Sequence, residues 1–555
     1  MKAFLKLTAA VACLAFVATG CIEETFPMNS TASTEQVGAN PTAMQASAYS
    51  IAAMMTQYFS GYRGSSSSND YDFSWPGLMI ALDTAADEII VCGSTYYDWY
   101  LYWGQKVSLG ENTMVGYTIW STFYQYVLCA NSLIRAVDPE TDNPLERGYL
   151  GMAYAFRAFA YLQMAQIYEF KPPTDPSVRA DYVPENPAVL TDRLTVPIVT
   201  EKTTEEEAFN NPRAPHDRMY AFILEDLQAA EEYLSTGQQD SRLLPGLDVA
   251  YGLLARYWLL RGNEVPDGYA QAAAYARKAR ETFGGSPLTQ DQWESPTTGF
   301  NNYSANSNSW MWYVAVAKEN VYINANFIAH MCTEQTWNPY GYSCGRGINR
   351  NLYDKIPDTD FRKHSWVDPG RMNYYAYKTL RDIDSPGDAT FYIANYANLK
   401  FRPVGGELSQ YRESGAVELP VMRLEEMYFI EAEALARSGD LSGGKALLNT
   451  LVRTRNPQYD CASASTLEAF VEELFTQKRI EFWGEGIAFF DFKRLEAGSL
   501  KGYSGTNVPE GYRYNVTGAA PWWNWVIPRN EVNNNTGVAG FNNPDPNGSV
   551  PEWKE

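Results

Sequence analysis

Histidine is almost missing from this chain of 555 residues: His216, His330 and His364 are the whole stock. There is no H-E-x-x-H pair and no two histidines are close in sequence, so histidine-built metal chemistry has little to work with. Cysteine is scarce as well. Beyond Cys13 and Cys21 there are five, Cys92, Cys129, Cys332, Cys344 and Cys461, scattered at wide spacing. Such spacing is neither a disulfide framework nor a zinc site. Cys332 and Cys344 either close one loop in an oxidising compartment or stay as buried thiols. The glycine-rich phosphate loop and the G-x-S-x-G elbow are both missing, so no cofactor, metal or catalytic triad is expected. Positive charge is in deficit: Lys and Arg total 44 against 65 Asp and Glu, a net −21. That balance repels nucleic acid and anionic lipid head groups, which need Lys and Arg to neutralise phosphate. Past Val17, no apolar run approaches the roughly 20 residues of a membrane-spanning helix.

What is present begins at the N-terminus. Lys2 and Lys6 precede an apolar stretch from Leu7 to Val17, and Ala18-Thr19-Gly20 are small residues of the kind a signal peptidase reads. Cys21 follows directly, then Ile22-Glu23-Glu24. Residues 1–20 therefore read as a lipoprotein signal, Cys21 as the lipidated first residue of the mature chain, and residues 21–40 as a flexible tether. Without Lys2 and Lys6 the mature chain stands near −23.

From residue 41 the dominant period is helical, and no linker long enough to separate autonomous units appears, so 41–555 reads as a single domain. Helices are expected near 43–59, 78–90, 116–137, 146–170, 217–234, 247–261 and 268–283. The helix at 146–170 is apolar on two faces, which packs it between neighbours. The pair 247–261 and 268–283, joined by a tight Pro/Gly turn and striped with Ala273 and Ala276, has the tetratricopeptide design. It recurs at 419–437 with 441–455, and 467–497 adds another pair. The fold expected is mainly α, a tetratricopeptide-like scaffold of helical hairpins beside a large irregular half. That irregular part, about 284–418, is rich in Asn, Gly, Ser, Pro and aromatics. So long an irregular stretch is usually functional.

Five blocks, in order, resemble the SusD/RagB family of outer-membrane lipoproteins. They are GYTIWSTFYQYVLCANSLI, MAYAFRAFAYLQMAQIYEF, VMRLEEMYFIEAEAL, KRIEFWGEGIAFFDFKRL and VIPRNEVNNN. The departures, Ile487-Ala488 and Leu495, fall in the scaffold. The resemblance implies a protein on the outer face of the outer membrane, acting as a lid over a SusC-like TonB-dependent transporter and capturing oligosaccharide or polysaccharide, with no catalysis. Glu23-Glu24 after Cys21 is similar to the surface-export signal of such proteins. The RagB branch binds peptides instead, in a cavity closed under the lid.

Sugar rings stack their C–H faces on Trp and Tyr, while their hydroxyls need a few Asn, Asp or Arg partners. The aromatics cluster in two regions. DYDFSWPG with STYYDWYLYWGQ supplies Asp72, Trp75, Tyr97 and Trp99 on loops between early helices. The irregular segment supplies Trp310, Trp312, Tyr340 and Arg346. Family members draw binding aromatics from both regions. Trp310 and Trp312, two apart, share one face of an extended segment, which is either a sugar platform or core. Trp120, Trp258 and Trp483 read as core, and Glu431 and Glu433 as ion-paired scaffold. A glycoside hydrolase would need two carboxylates roughly 5–10 Å apart, and Asp72 with Asp98 is the loop pair to check.

Overall fold

A computed structural model describes residues 37–38, 40–58, 70–92, 99–104, 106–342, 344–369 and 394–555. The signal segment, Cys21 and nearly all of the tether lie outside the described residues.

Helices dominate. They are α1 (Pro41–Met54), α2 (Ser74–Ala85), α3 (Met114–Ala136), α4 (Pro144–Tyr168), α5 (His216–Thr236), α6 (Leu247–Leu260), α7 (Gly268–Phe283), α8 (Leu424–Arg437), α9 (Leu441–Val452), α10 (Leu467–Phe482) and α11 (Ala488–Leu495). Local chemistry sets their ends. Asn143 caps α4, accepting from the Leu145 N–H, with Pro144 at the first helical position where a missing N–H costs nothing. Thr113 caps α3 through Gly116 N–H. Sequential helices pack as antiparallel neighbours, α3 on α4, α4 on α5, α6 on α7 and α8 on α9, the arrangement expected of a hairpin scaffold.

Four strands matter: β1 (Ile89–Val91), β2 (Trp310–Ala315), β3 (Arg346–Ile348) and β4 (Glu418–Arg423). β1 pairs antiparallel with β3, and β2 with β4. Two helical expectations need correction here. The segment 78–90 starts its helix earlier, at Ser74, and ends it at Ala85, after which β-branched Ile89-Ile90-Val91 pair as a strand. Likewise Leu419 to Arg423 is extended, because β2 offers a partner edge and Pro420 has no N–H for a helix. The helix begins only at Leu424.

The helix α4 is packed on nearly all sides, and its one buried arginine is engaged internally. Arg157, 3% exposed, sends Nε and Nη2 to Asp226 of α5 at 2.8 and 2.7 Å. Its Nη1 donates to Asn131 of α3 and to Glu201, both at 2.7 Å. One guanidinium thus ties three helices, and the bidentate fork is something only arginine supplies.

A second ionic hub joins scaffold to irregular half. Arg423, Arg455, Arg362 and Lys400 meet Glu425, Glu481, Glu485 and Asp360, and none of the eight is more than 3% exposed. Glu481 sits at its centre, taking Arg423 (3.1 Å), Arg455 (2.8 Å) and Arg362 (3.1 Å). Burial alone would lower Arg423, but Glu485, Glu425 and Glu481 hold it above the ordinary arginine value. Lys400, by contrast, is pulled down to about 8 by burial. The Trp483-Gly484-Glu485-Gly486 turn lies beside this hub, and Gly486 has φ +74 with no room for a side chain over Met79.

Cys332 and Cys344 are not joined to each other; both are buried thiols. No helix among the described residues is long and apolar enough to cross a membrane.

Candidate functional site

The expected binding residues are mostly interior. Trp310 and Trp312 are 0% exposed in β2: a register irregularity between them breaks the shared face that their spacing predicts, and both rings are core. Trp310 lies against Phe300, with centroids 5.9 Å apart, and Trp312 against Phe159 at 5.0 Å. Trp312 spends its N–H on Leu243 O (3.2 Å). Neither ring offers a free face to a sugar. Trp75 is corrected in the same way: it sits inside α2 rather than on a loop, buried edge-on against Phe159. Asp72 is buried, and Arg346 is buried in β3 with Nη1 donating to Cys344 O at 2.8 Å. Tyr340 is also buried, and its hydroxyl donates to Asp70 Oδ2 at 2.6 Å. Tyr97, Asp98 and the Trp99 side chain lie outside the described residues, as does Cys21. Trp120 and Trp483 are buried as expected, while Trp258 is only half-buried. Glu433 pairs with Arg437 and Arg494, and Glu431 with Arg277 and Arg280.

The segment 320–342 does form an aromatic surface, in which Trp337 and Tyr342 of the expected cluster are joined by side chains outside it. Tyr322 and Ile323 are 48% and 47% exposed, beside each other at a loop tip. The Tyr58 ring lies 4.1 Å from that of Tyr322. Trp337, Tyr342 and Tyr411 are half-buried along the same segment and its neighbour. Trp337 and Tyr411 have centroids 6.1 Å apart. The buried Trp337 N–H has no hydrogen-bond partner among the described residues, a state that costs about 1–3 kcal/mol.

This surface is rigidly backed. His330 stacks between Phe73 (5.6 Å) and Tyr340 (4.8 Å), with Tyr100 edge-on at 5.2 Å. Its Nε2 faces two carbonyls, Asp70 O at 3.0 Å and Asn324 O at 2.9 Å, so that nitrogen is the donor. Asn338 donates to Ile323 O and to Asn324 Oδ1, both at 2.8 Å. Gln335 in turn accepts from the N–H groups of Trp337 and Asn338, both at 2.8 Å. The histidine is thereby a structural pillar, and carboxamides set the loop's shape.

The aromatic surface offers rings for stacking. Charges near it are spent locally, as in the Lys318–Glu413 pair. Among the described residues no group of three His, Cys, Asp or Glu side chains is placed to hold a metal. Tyr322, Ile323 and Tyr411 were missed in the sequence because they sit outside the tryptophan-dense runs. The available signal was local: Asn320, Asn324 and Asn326 bracket two large side chains, the mark of an exposed tip.

Comparison with known proteins gives a consistent result. A family model described as "SusD family" matches residues 235–545, and one described as "Starch-binding associating with outer membrane" matches 74–259. A SusD-like protein of Bacteroides ovatus is 24% identical over 412 residues, covering 70% of this chain and 66% of its own length. In structure, the chain resembles a SusD-like carbohydrate binding protein from Bacteroides vulgatus (TM-score 0.69, 19% identity), covering 90% of this chain and 97% of that one. A SusD superfamily protein from Bacteroides thetaiotaomicron gives TM-score 0.64 at 16% identity, covering 91% and 99%. A laminarin-binding SusD-like protein gives 0.60 at 18%, covering 89% and 98%.

Proposed function

Since the chain belongs to the SusD family, we propose that it is a cell-surface glycan-binding lipoprotein that captures oligosaccharide or polysaccharide and passes it to a SusC-like TonB-dependent transporter. The observation that carries the reading is the surface of Tyr322, Trp337 and Tyr411: one exposed ring and two half-buried ones on a rigid backing. Rings bind the apolar faces of pyranoses. Tyr97 and Trp99, read from the sequence as binding aromatics, are kept as candidate ring partners for the glycan. Cys21 carries the lipid, Glu23-Glu24 direct the protein outward, and residues 21–40 let it stay attached while it opens over its channel.

Native electrophoresis through gels cast with individual polysaccharides tests the binding. Retardation by at least one glycan, with no reducing sugar released, is expected, and Tyr322→Ala with Trp337→Ala should abolish most of it. Released sugar would replace the reading with a hydrolase. Retention of peptides and of no glycan would replace it with a peptide-binding lid. The partner is tested by detergent extraction of the tagged lipoprotein, which should bring down a TonB-dependent transporter. Cys21→Ala should release the protein from the membrane fraction.

A further inference from the structure

A second open groove lies on the scaffold, sharing no residue with the surface above. Its floor is one face of α3. Tyr117, Ser121, Tyr124, Gln125 and Leu128 follow at helical spacing and are all at least half-buried to exposed. The opposite walls are the segment 197–211 and the short helix Arg529–Asn534, and the enclosed volume is about 490 Å³. The walls are preset. The Tyr124 hydroxyl donates to Pro197 O at 2.8 Å. Asn535 accepts from Asn211 N–H at 2.9 Å and donates to Asn211 O at 2.8 Å. Thr536 N–H reaches Phe209 O at 2.9 Å.

The groove is nonetheless unfilled by the protein's own chemistry. Phe209 is 56% exposed and Leu128 48%. Exposed Asn530 and Asn534, with half-buried Gln125, make no side-chain hydrogen bond to any of the described residues. Among the described residues no cation lines it; its charged members are Glu205 and Glu531. Aromatic rings, unengaged carboxamides and a slightly acidic rim select against anions and suit a neutral polyhydroxylated chain.

We infer that this groove is a second binding site for a neutral glycan, separate from the aromatic surface of residues 322–411. The inference rests on the glycan-binding reading above. A long polysaccharide engaged at both sites gains by effective concentration what neither site supplies alone.

The test uses the full-length mature protein in gels containing starch, laminarin, xylan or pectin, with Phe209→Ala plus Asn534→Ala as the groove variant. Both positions are exposed, so the thermal midpoint should match the parent. Expected is retardation by a neutral glycan that weakens about tenfold or more in the groove variant, as loss of one aromatic contact implies. The Tyr322→Ala/Trp337→Ala protein should keep a residual retardation that the combined variant loses. Addition of that glycan to the Tyr322→Ala/Trp337→Ala protein should slow amide exchange in residues 117–128. Parental retardation of the groove variant in every gel overturns the inference while leaving the proposed function standing. So does a groove variant that binds glycan normally but no longer retains the transporter, which would make the groove a protein-docking face. A parent retarded by no glycan overturns both.

Discussion

Glu481→Gln should cost more stability than its single lost charge suggests. The carboxylate is fully buried and both its oxygens are taken by guanidinium groups, Oε1 by Arg423 and Arg455, Oε2 by Arg362 and Arg455. The eight charges of the hub balance as they stand; the substitution leaves four cations facing three carboxylates, and it aims a carboxamide N–H at N–H donors. Removing one member of a buried ionic cluster costs about 3–5 kcal/mol. Burial would raise the Glu481 carboxyl, but Arg455, Arg423 and Arg362 hold it below the usual carboxylate range. A depressed folded value means its contribution is complete above the unfolded value near pH 4.3 and fades as pH falls through the folded one. Parent and variant should therefore differ by the full amount at pH 7 and converge in acid. Urea unfolding followed by tryptophan fluorescence at pH 7 and pH 3 reads this out. Asp358→Asn, which breaks the exposed Lys363–Asp358 pair, is the control and should leave the midpoint unchanged. A loss at pH 7 under about 1 kcal/mol, or a gap that widens in acid, would refute the ionic account of this hub.

Four further expectations follow from the same structure. Trp310→Ala and Trp312→Ala should each destabilise by about 3–5 kcal/mol, whereas Tyr322→Ala should change stability by less than about 0.5 kcal/mol; calorimetric melting separates the core rings from the surface one. Arg157→Lys should cost about 1.5–3 kcal/mol, because lysine cannot hold Asp226 by two bonds and still reach Asn131 and Glu201; the urea midpoint measures it. Burial would lower His216, but hydrogen bonds to Glu169 and Glu264 hold it above the ordinary histidine value. Its contribution is thus complete below the unfolded value of about 6.5 and lost as pH rises through the folded one, so His216→Gln should be more damaging at pH 6 than at pH 9. Burial pushes the Cys92 and Cys332 thiols up to about 12; a thiol-reactive dye at pH 8 should label them slowly in native protein and rapidly in urea.

The scaffold was legible because helix period survives in any single window: α3 to α7 lie within a few residues of their expected ends. The tryptophans were not legible in the same way. Residue type says that Trp310 and Trp312 are large and flat, and spacing says they share a face, but the irregular register against β4 breaks that face and both sides of the strand are covered here. Trp75 shows a different failure. The cluster around it reads as a loop before a helix at 78, yet the first turn of a helix tolerates Pro76, and α2 begins one residue before Trp75. Ionic hubs were invisible for a further reason: Asp360, Lys400, Arg423 and Glu481 are far apart in sequence, and no local pattern announces that they meet.

That wide separation has a consequence for how such a chain can change. The hub draws Asp360, Arg362 and Lys400 from the irregular half and Glu425, Arg455 and Glu481 from the scaffold, so neither half can be transplanted without stranding charge in the other. Tyr322, Ile323 and Tyr411 touch none of it. Substitution at the tips is therefore uncoupled from the cost of holding the molecule together. Ligand preference can drift on a frame that is locked against drift.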